Sequence, residues 1–305
     1  MIKGSPATVS KGTSCAQAWI QAARPLTLSL SIAPVAVGAC LALAEAGRVR
    51  IGAVAGAALA SGLIQIGTNL YNDAADHARG ADGPGRIGPP RMTAMGLLKG
   101  AEVARAAIAA FGLAALLGVG LIVVGGWPIV ALGLVSLVCG FVYSGGPLPI
   151  SHTPLGEALV VLFFGVAAVA GTYWLAADAF APATVVAGVA IGLFAAAVLL
   201  ANNHRDRAED ARAGRRTLAI LLGPRATRAV YAALILAPFG LLVPLAQAAQ
   251  TSRIYFAFLA FPLAAYQAVR FAREPIGRGL NAILAATART QALYAALLCF
   301  GLLWR

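Results

Sequence analysis

Charge is in short supply in this chain. Asp, Glu, Lys and Arg make up 11% of its 305 residues, against roughly 25% in a soluble globular domain. That shortage excludes an ordinary water-soluble fold. Acid is scarcer than base, with eleven Asp and Glu against 23 Lys and Arg. Cys15, Cys40, Cys139 and Cys299 are scattered, and no two have metal-site or disulfide spacing, so they read as small core residues. The three histidines, His77, His152 and His204, share no metal-ligand spacing either. A secretory signal pattern is also missing. The first apolar run begins only after Arg24, behind Lys3, Lys11 and a polar Ser/Thr/Gly stretch, which makes residues 1–18 a frayed cytoplasmic tail.

What the chain has in abundance is apolar surface, 60% of residues. Several windows exceed the ~18 apolar residues that cross a bilayer as helix. Nine spans are expected, over 25–45, 51–72, 101–124, 127–146, 155–177, 182–203, 226–247, 254–271 and 280–304. This is an all-α integral membrane fold, a single polytopic domain over 19–305. Counting from the N-terminus, Arg48, Arg50, Arg253 and Arg305 fall on one side and the other 19 of 23 cations on the opposite side. The positive-inside rule puts those 19, and the N-terminus, in the cytoplasm of a bacterial-type membrane. Topology thus accounts for the net charge of +12, without a nucleic-acid partner.

Six of the eleven carboxylates fall in two clusters, each directly after an apolar run: Asn72, Asp73, Asp76 and Asp82, then Asn202, Asp206, Glu209 and Asp210. Acids beside hydrocarbon are costly and mark functional sites. Crowded without a cation they would be driven to protonate, and a hard ion such as Mg²⁺ suits carboxylate and phosphate oxygens. Asn72 and Asp76 are four apart, as are Asn202, Asp206 and Asp210, so each set shares a helix face. Arginines follow both clusters: Arg79, Arg86 and Arg91, then Arg212, Arg215 and Arg216. Guanidinium forks suit phosphate oxygens. Acids, arginines and a greasy bundle together specify a ligand with a phosphate head and an apolar tail. The clusters recur four spans apart on one membrane face, which points to two four-helix halves in parallel repeat plus a ninth helix. A cation-coupled transporter is the competing class, but its sites usually lie near the midplane at broken helices.

The run NLYNDAADHARGADGPGRIGPPR from Asn69 to Arg91 resembles the first aspartate-rich motif of the UbiA superfamily of intramembrane prenyltransferases. NNHRDRAEDARAGRRTLAILLG, from Asn202 to Gly223, resembles the second. The segments Arg86–Arg91 and Gly214–Ala219, and YSGGPLPISHTPLGEALVVLFFG from Tyr143, are similar to the MenA-type 1,4-dihydroxy-2-naphthoate polyprenyltransferases. RPLTLSLSIAPVAVG, from Arg24, resembles the opening helix. The resemblance implies nine helices around a cavity, with Mg²⁺ bridging the aspartates and a polyprenyl diphosphate. It carries the metal-ligand roles onto Asn72, Asp76, Asp82, Asn202, Asp206 and Asp210, with Asp73 in the Asn-Asp form and Asn69 as an extra contact. Two positions depart from the pattern: His152 stands where the branch often has Tyr, and Ala211 where a basic residue is usual.

The implied reaction prenylates an aromatic acceptor, dihydroxynaphthoate, with loss of diphosphate and CO₂, giving demethylmenaquinone; 4-hydroxybenzoate is the alternative acceptor. Ionisation of an allylic diphosphate requires stabilising the leaving group and excluding water. Asp76 and Asp206 are the central carboxylates for that step, and Arg24, Arg86, Arg91, Arg205, Arg215 and Arg216 the cations for the diphosphate. Tyr143, Tyr173 and Trp174 offer π-faces to the allylic cation. Glu157 and His152 are the candidates for orienting the acceptor.

Overall fold

The computed structural model describes residues 14–80 and 87–304, and every regular element among them is helical. A short helix α1 (Cys15–Ala23) precedes α2 (Pro25–Ala46), α3 (Ile51–Ala78), α4 (Gly100–Gly125), α5 (Trp127–Val142), α6 (Gly156–Ala177), α7 (Pro182–Arg212), α8 (Leu218–Ala248), α9 (Arg253–Arg273) and α10 (Gly279–Leu303). Eight of these are long and apolar enough to cross a bilayer. The expected ninth, over 127–146, is the shorter α5 of 16 residues. The protein is an integral membrane protein, and its fold is the expected helical bundle.

Several boundaries differ from expectation for identifiable reasons. α3 and α7 do not stop at 72 and 203 but run to Ala78 and Arg212, because the acidic clusters continue the helical hydrogen bonding beyond the apolar stretch. α8 starts at Leu218 rather than 226 and is broken at Gly223, whose φ of 71° lies in the left-handed region that glycine tolerates. The frayed tail expected to reach residue 18 is helical from Cys15. Ser14 caps α1 reciprocally with Gln17, at 3.3 and 3.0 Å. Ala18 and Ala22 then pack against Leu70, Met92, Leu98 and Val103.

Packing positions the site. α2 and α7 run through the middle, α2 against α6 and α10, α7 against α6, α8 and α10. The main core collects Leu41, Ile191, Phe194, Tyr231, Ile283 and Tyr294 from these helices and Phe271 from α9, with the free thiols Cys40 and Cys299 at its edge. α6 and α7 meet backbone to backbone. A Cβ on Gly165 would lie 2.2 Å from the Gly188 carbonyl oxygen, and one on Gly192 would lie 2.7 Å from that of Val161. Small residues that let helices approach are the usual glue in lipid, where apolar burial no longer drives association. Within α6 the turn Leu162–Ala167 is a π-turn, a feature frequent at functional sites. It presents Phe163, Phe164 and Ala167 to the space inside the bundle.

Candidate functional site

Inside the bundle lies a cavity of about 850 Å³. One end is polar, lined by Arg24, Asn72, Asp76, Arg91, Asn202, Arg205, Asp206, Asp210, Arg215 and Asn281. The other is apolar, walled by Ala57, Ala60, Ala114, Leu121, Ile129, Leu134 and Leu175. Asp76 and Ala57 are nineteen residues apart on α3, so the cavity spans roughly 28 Å at 1.5 Å per residue. That is close to the ~30 Å hydrocarbon thickness of a bilayer.

The two acidic helices face each other across the polar end. Asp76, only 2% exposed, accepts from Arg91 at 2.6 Å and from Arg215 at 2.8 Å, with Arg79 at 3.7 Å. Arg215 reaches back to Asp210 at 3.2 Å, so this one guanidinium ties both clusters together. Although burial pulls its pKa down, Asp76 and Asp210 hold Arg215 above the ordinary arginine value. Arg205, 1% exposed, grips Asp206 through Nε and Nη2 at 2.7 and 2.6 Å, and donates to Asn202 and Asn281, each at 2.7 Å. Arg91 also donates to the Asn72 carbonyl at 2.7 Å.

Loops close this end. Asn72 donates to the Ser144 hydroxyl at 2.7 Å and Arg79 to the Ser144 carbonyl at 2.6 Å, which fastens the chain after α5 to α3. The segment after the first cluster passes over Arg205 so closely that a Cβ on Gly88 would lie 2.7 Å from its Nη2. Arg205 is held by four hydrogen bonds and cannot yield, so the glycine of the Gly-Pro-Pro-Arg run is required there. Arg24 adopts φ 55° between α1 and α2, an uncommon conformation without glycine, held by Thr27, whose amide and hydroxyl donate to the Arg24 carbonyl at 2.9 and 2.8 Å. Pro25 then starts α2 with a φ suited to a helix.

The structure corrects some of the site expected from sequence. Asp73 is one residue from Asn72 and therefore turned about 100° round α3. It is buried outside the cavity, accepting a short hydrogen bond from Thr93. Glu157 does not line the cavity; its carboxylate accepts from the Asn203 amide at 2.9 Å, and Asn203 is the residue that faces inward. His152 and Arg216 are also off the lining, joined through the Arg216 amide donating to the His152 carbonyl at 2.8 Å. Tyr173 and Trp174 lie at the far end, donating to Glu45 at 3.2 Å and to the Gly125 carbonyl at 2.8 Å. Tyr143 does line the cavity. Burial and the Glu157 charge push its hydroxyl well above the usual tyrosine range, so it remains a donor at neutral pH. Burial, then Arg215 and Arg79, push the His152 imidazole below its ordinary value against an opposing pull from Asp76. Asp82 and Arg86 lie outside the described residues.

Asn281, Asn203, Ser144 and Gln65 were not anticipated. Asn281 is a single amide at the start of the last helix, with no local pattern to mark it. Asn203 was visible beside Asn202 but lacks the four-residue step.

Among the described residues no three His, Cys, Asp or Glu side chains gather to hold a metal by themselves. The donor chemistry nevertheless fits Mg²⁺, which takes one or two carboxylates and completes its shell with water and phosphate oxygen. Asn72, Asp76, Asn202, Asp206 and Asp210 supply only hard oxygen and amide donors around one opening.

A mouth of carboxylates and arginines on a bilayer-length apolar channel defines a polytopic membrane protein with one amphiphilic cavity at its centre. The chain belongs to the UbiA prenyltransferase family, whose model matches residues 31–278. It is a membrane-embedded prenyltransferase. It is 30% identical over 304 residues to the 1,4-dihydroxy-2-naphthoate octaprenyltransferase of Bacillus subtilis, covering 99% of this chain and 97% of that one. The enzyme of the same name from Mycobacterium tuberculosis is 36% identical, over 71% of this chain and 74% of its own. A UbiA homolog from Archaeoglobus fulgidus bound to GPP and Mg²⁺ superposes with a TM-score of 0.67 at 17% identity, covering 93% of this chain and 99% of that one. A homolog from Aeropyrum pernix K1 gives 0.69 at 17%, over 88% and 96%. At such identities the likeness concerns the fold.

Proposed function

We propose that the protein transfers a polyprenyl group from polyprenyl diphosphate to 1,4-dihydroxy-2-naphthoate, releasing diphosphate and CO₂ and forming demethylmenaquinone in its hydroquinone form. The observation that carries this is one cavity joining a carboxylate and arginine mouth to an apolar channel, in a chain that aligns end to end with a naphthoate octaprenyltransferase. The channel takes the prenyl tail, whose burial is worth about 25 cal/mol per Å² relative to water. Arg91 and Arg215 lie where they can take diphosphate oxygens once released from Asp76, and Arg24 lines the same opening. Mg²⁺ held by Asn72, Asp76, Asn202, Asp206 and Asp210 would supply Lewis-acid neutralisation of the leaving group.

The carbon–oxygen bond of the allylic diphosphate breaks with its electron pair leaving on oxygen, and the guanidiniums stabilise that charge. The channel walls keep water from the cation. The acceptor carbon bearing the carboxylate forms the new carbon–carbon bond. Loss of CO₂ returns an electron pair to the ring, so no further base is needed at that carbon. In this reading the N-terminus and the polar mouth face the cytoplasm of a bacterial-type membrane, in keeping with the 19-to-4 division of cations.

The test uses membranes containing the protein, supplied with Mg²⁺, a polyprenyl diphosphate and equal amounts of carboxyl-labelled dihydroxynaphthoate and 4-hydroxybenzoate. Prenylated naphthol and labelled CO₂ are expected. A winning 4-hydroxybenzoate, or a product that keeps the naphthoate carboxylate, would defeat the assignment of acceptor.

A further inference from the structure

The wall of the cavity carries a polar ladder below the mouth, at a depth where polar groups are costly. Its members are Thr27 and Ser31 on α2, and Gln65 and Asn69 on α3. Gln65 and Asn69 are 7% and 6% exposed, and Ser31 1%. The hydrogen bonds run in one direction only, anchored by backbone carbonyls. The Thr27 hydroxyl donates to the Arg24 carbonyl at 2.8 Å, leaving its lone pairs to accept. Asn69 Nδ2 donates to the Ala23 carbonyl and to Thr27 Oγ1, both at 3.0 Å, which fixes its amide with Oδ1 toward Gln65. Gln65 Nε2 donates to that Oδ1 at 3.3 Å and to Thr27 Oγ1 at 3.2 Å. Turning the Gln65 amide over would set its oxygen against two acceptors. Gln65 Oε1 is therefore held as a bare acceptor, buried and unpartnered, on a residue lining the cavity. Ser31 Oγ, one helical turn deeper than Thr27, is likewise buried and unpartnered.

Buried acceptors are nearly always satisfied, so the ladder calls for a ligand that brings a donor. A prenyl chain has none, and an ionised diphosphate only accepts. Of the substrates in the proposed reaction, only the aromatic acceptor carries hydroxyl protons. Gln65 lies seven residues below Asn72 on α3, about 10 Å at helical rise, beneath the diphosphate mouth and above the apolar end. We propose that Gln65, oriented by Thr27 and Asn69, accepts a hydrogen bond from a phenolic hydroxyl of the aromatic acceptor, with Ser31 beside it, and so favours acceptors that carry a hydroxyl at that point. This rests on the function proposed above. It moves acceptor recognition from His152 and Glu157, which do not face the cavity, to the α2–α3 wall.

The experiment pairs a protein variant with a ligand variant. Gln65→Met is near in length and keeps the helix. In membranes with matched protein levels, it should raise the KM for dihydroxynaphthoate about tenfold, the size of one lost buried hydrogen bond, and leave the KM for polyprenyl diphosphate unchanged. As competitive inhibitors, a hydroxynaphthoate and its deoxy counterpart should differ about tenfold on the wild type and converge on Gln65→Met. Thr27→Val, which frees the Gln65 amide to rotate, should show the same convergence, and it decides the matter if Gln65→Met does not accumulate. An unchanged KM for the naphthoate, or an inhibitor ratio that survives both substitutions, overturns the role of Gln65 while the reaction stands. Failure of the wild type to prenylate any aromatic acid overturns the reaction itself, and the inference with it.

Discussion

Asp76 shows how far a residue's neighbours change what its substitution reports. It accepts from Arg91 and Arg215 inside the protein. Asp76→Ala should remove catalysis and also take a carboxylate from two buried guanidiniums, leaving Arg215 to Asp210 and Arg91 to the Asn72 carbonyl, a loss of up to about 3–5 kcal/mol when one partner of a buried pair is deleted. We therefore expect Asp76→Ala to lower both turnover and the thermal midpoint in detergent. Asp76→Asn and Asp206→Asn, which keep an oxygen for the arginines, should fold more nearly normally yet lose prenyl transfer by orders of magnitude. Activity of either Asn variant near that of wild type, in membranes with matched protein, would contradict the two-cluster site. His152 gives a pH prediction. Its pKa is lowered in the fold, so below the unfolded value near 6.5 the unfolded chain binds a proton that the native protein refuses. Its contribution is thus complete above that value and is lost as pH falls from there toward the folded pKa. His152→Gln should flatten that part of a plot of thermal midpoint against pH, whereas an unaltered slope would assign it to other groups. At this scale the sequence revealed the cavity-lining acids through their four-residue step, but not Asp73's rotation or Glu157's role behind Asn203. Those depend on which side of a helix its neighbour occupies, which no local pattern records.

Among the elements, the contact of α6 with α7 is the most constrained. A Cβ on Gly188 would lie 2.6 Å from the Val166 Cα, and one on Gly165 would meet backbone at 2.2 Å. Backbone cannot move aside as a side chain can, so Gly188→Ala should cost at least the 1–3 kcal/mol typical of overpacking. It should also displace the π-turn that aims Phe163 and Phe164 at the cavity. Gly112→Ala, in a helix where the added methyl meets nothing within 4 Å, is the control and should be neutral or slightly stabilising. Equal thermal midpoints for the two variants would show that the seam tolerates separation. Apolar run length made the long helices legible in sequence. Their ends were less so, since α3 and α7 carry polar residues through helical turns that hydropathy counts as loop.

For the whole molecule, the asymmetry of arginine and lysine is the feature sequence reads best, because it is a sum over loops and is insensitive to boundary errors. It leads us to expect single cysteines at residue 5 or 214, on a cysteine-free background, to resist an impermeant reagent added outside intact cells. Labelling of either from outside would reverse the orientation. The cavity was less legible at this scale, since it draws on eight helices and takes a single polar side chain, Asn281, from the last of them.

The mouth has one further property. Asp76 and Asp210 share Arg215, Arg91 closes on Asp76, and Arg205 is forked onto Asp206, so acids and bases there are engaged with one another. A divalent ion arriving alone meets carboxylates already claimed by guanidiniums, and a diphosphate arriving alone meets guanidiniums already claimed by carboxylates. Arriving together, they let both sets change partners at once, so that each ligand lowers the cost of seating the other. Such linkage is reciprocal by thermodynamic necessity. A non-hydrolysable prenyl diphosphate analogue should bind more tightly with Mg²⁺ present, and Mg²⁺ should bind more tightly by the same factor with the analogue present, as titration calorimetry in detergent would measure. Independent affinities would mean that the internal pairs persist in the loaded site. If the exchange occurs, the mouth behaves as a coincidence detector, at rest with either ligand alone and rearranged only by the pair.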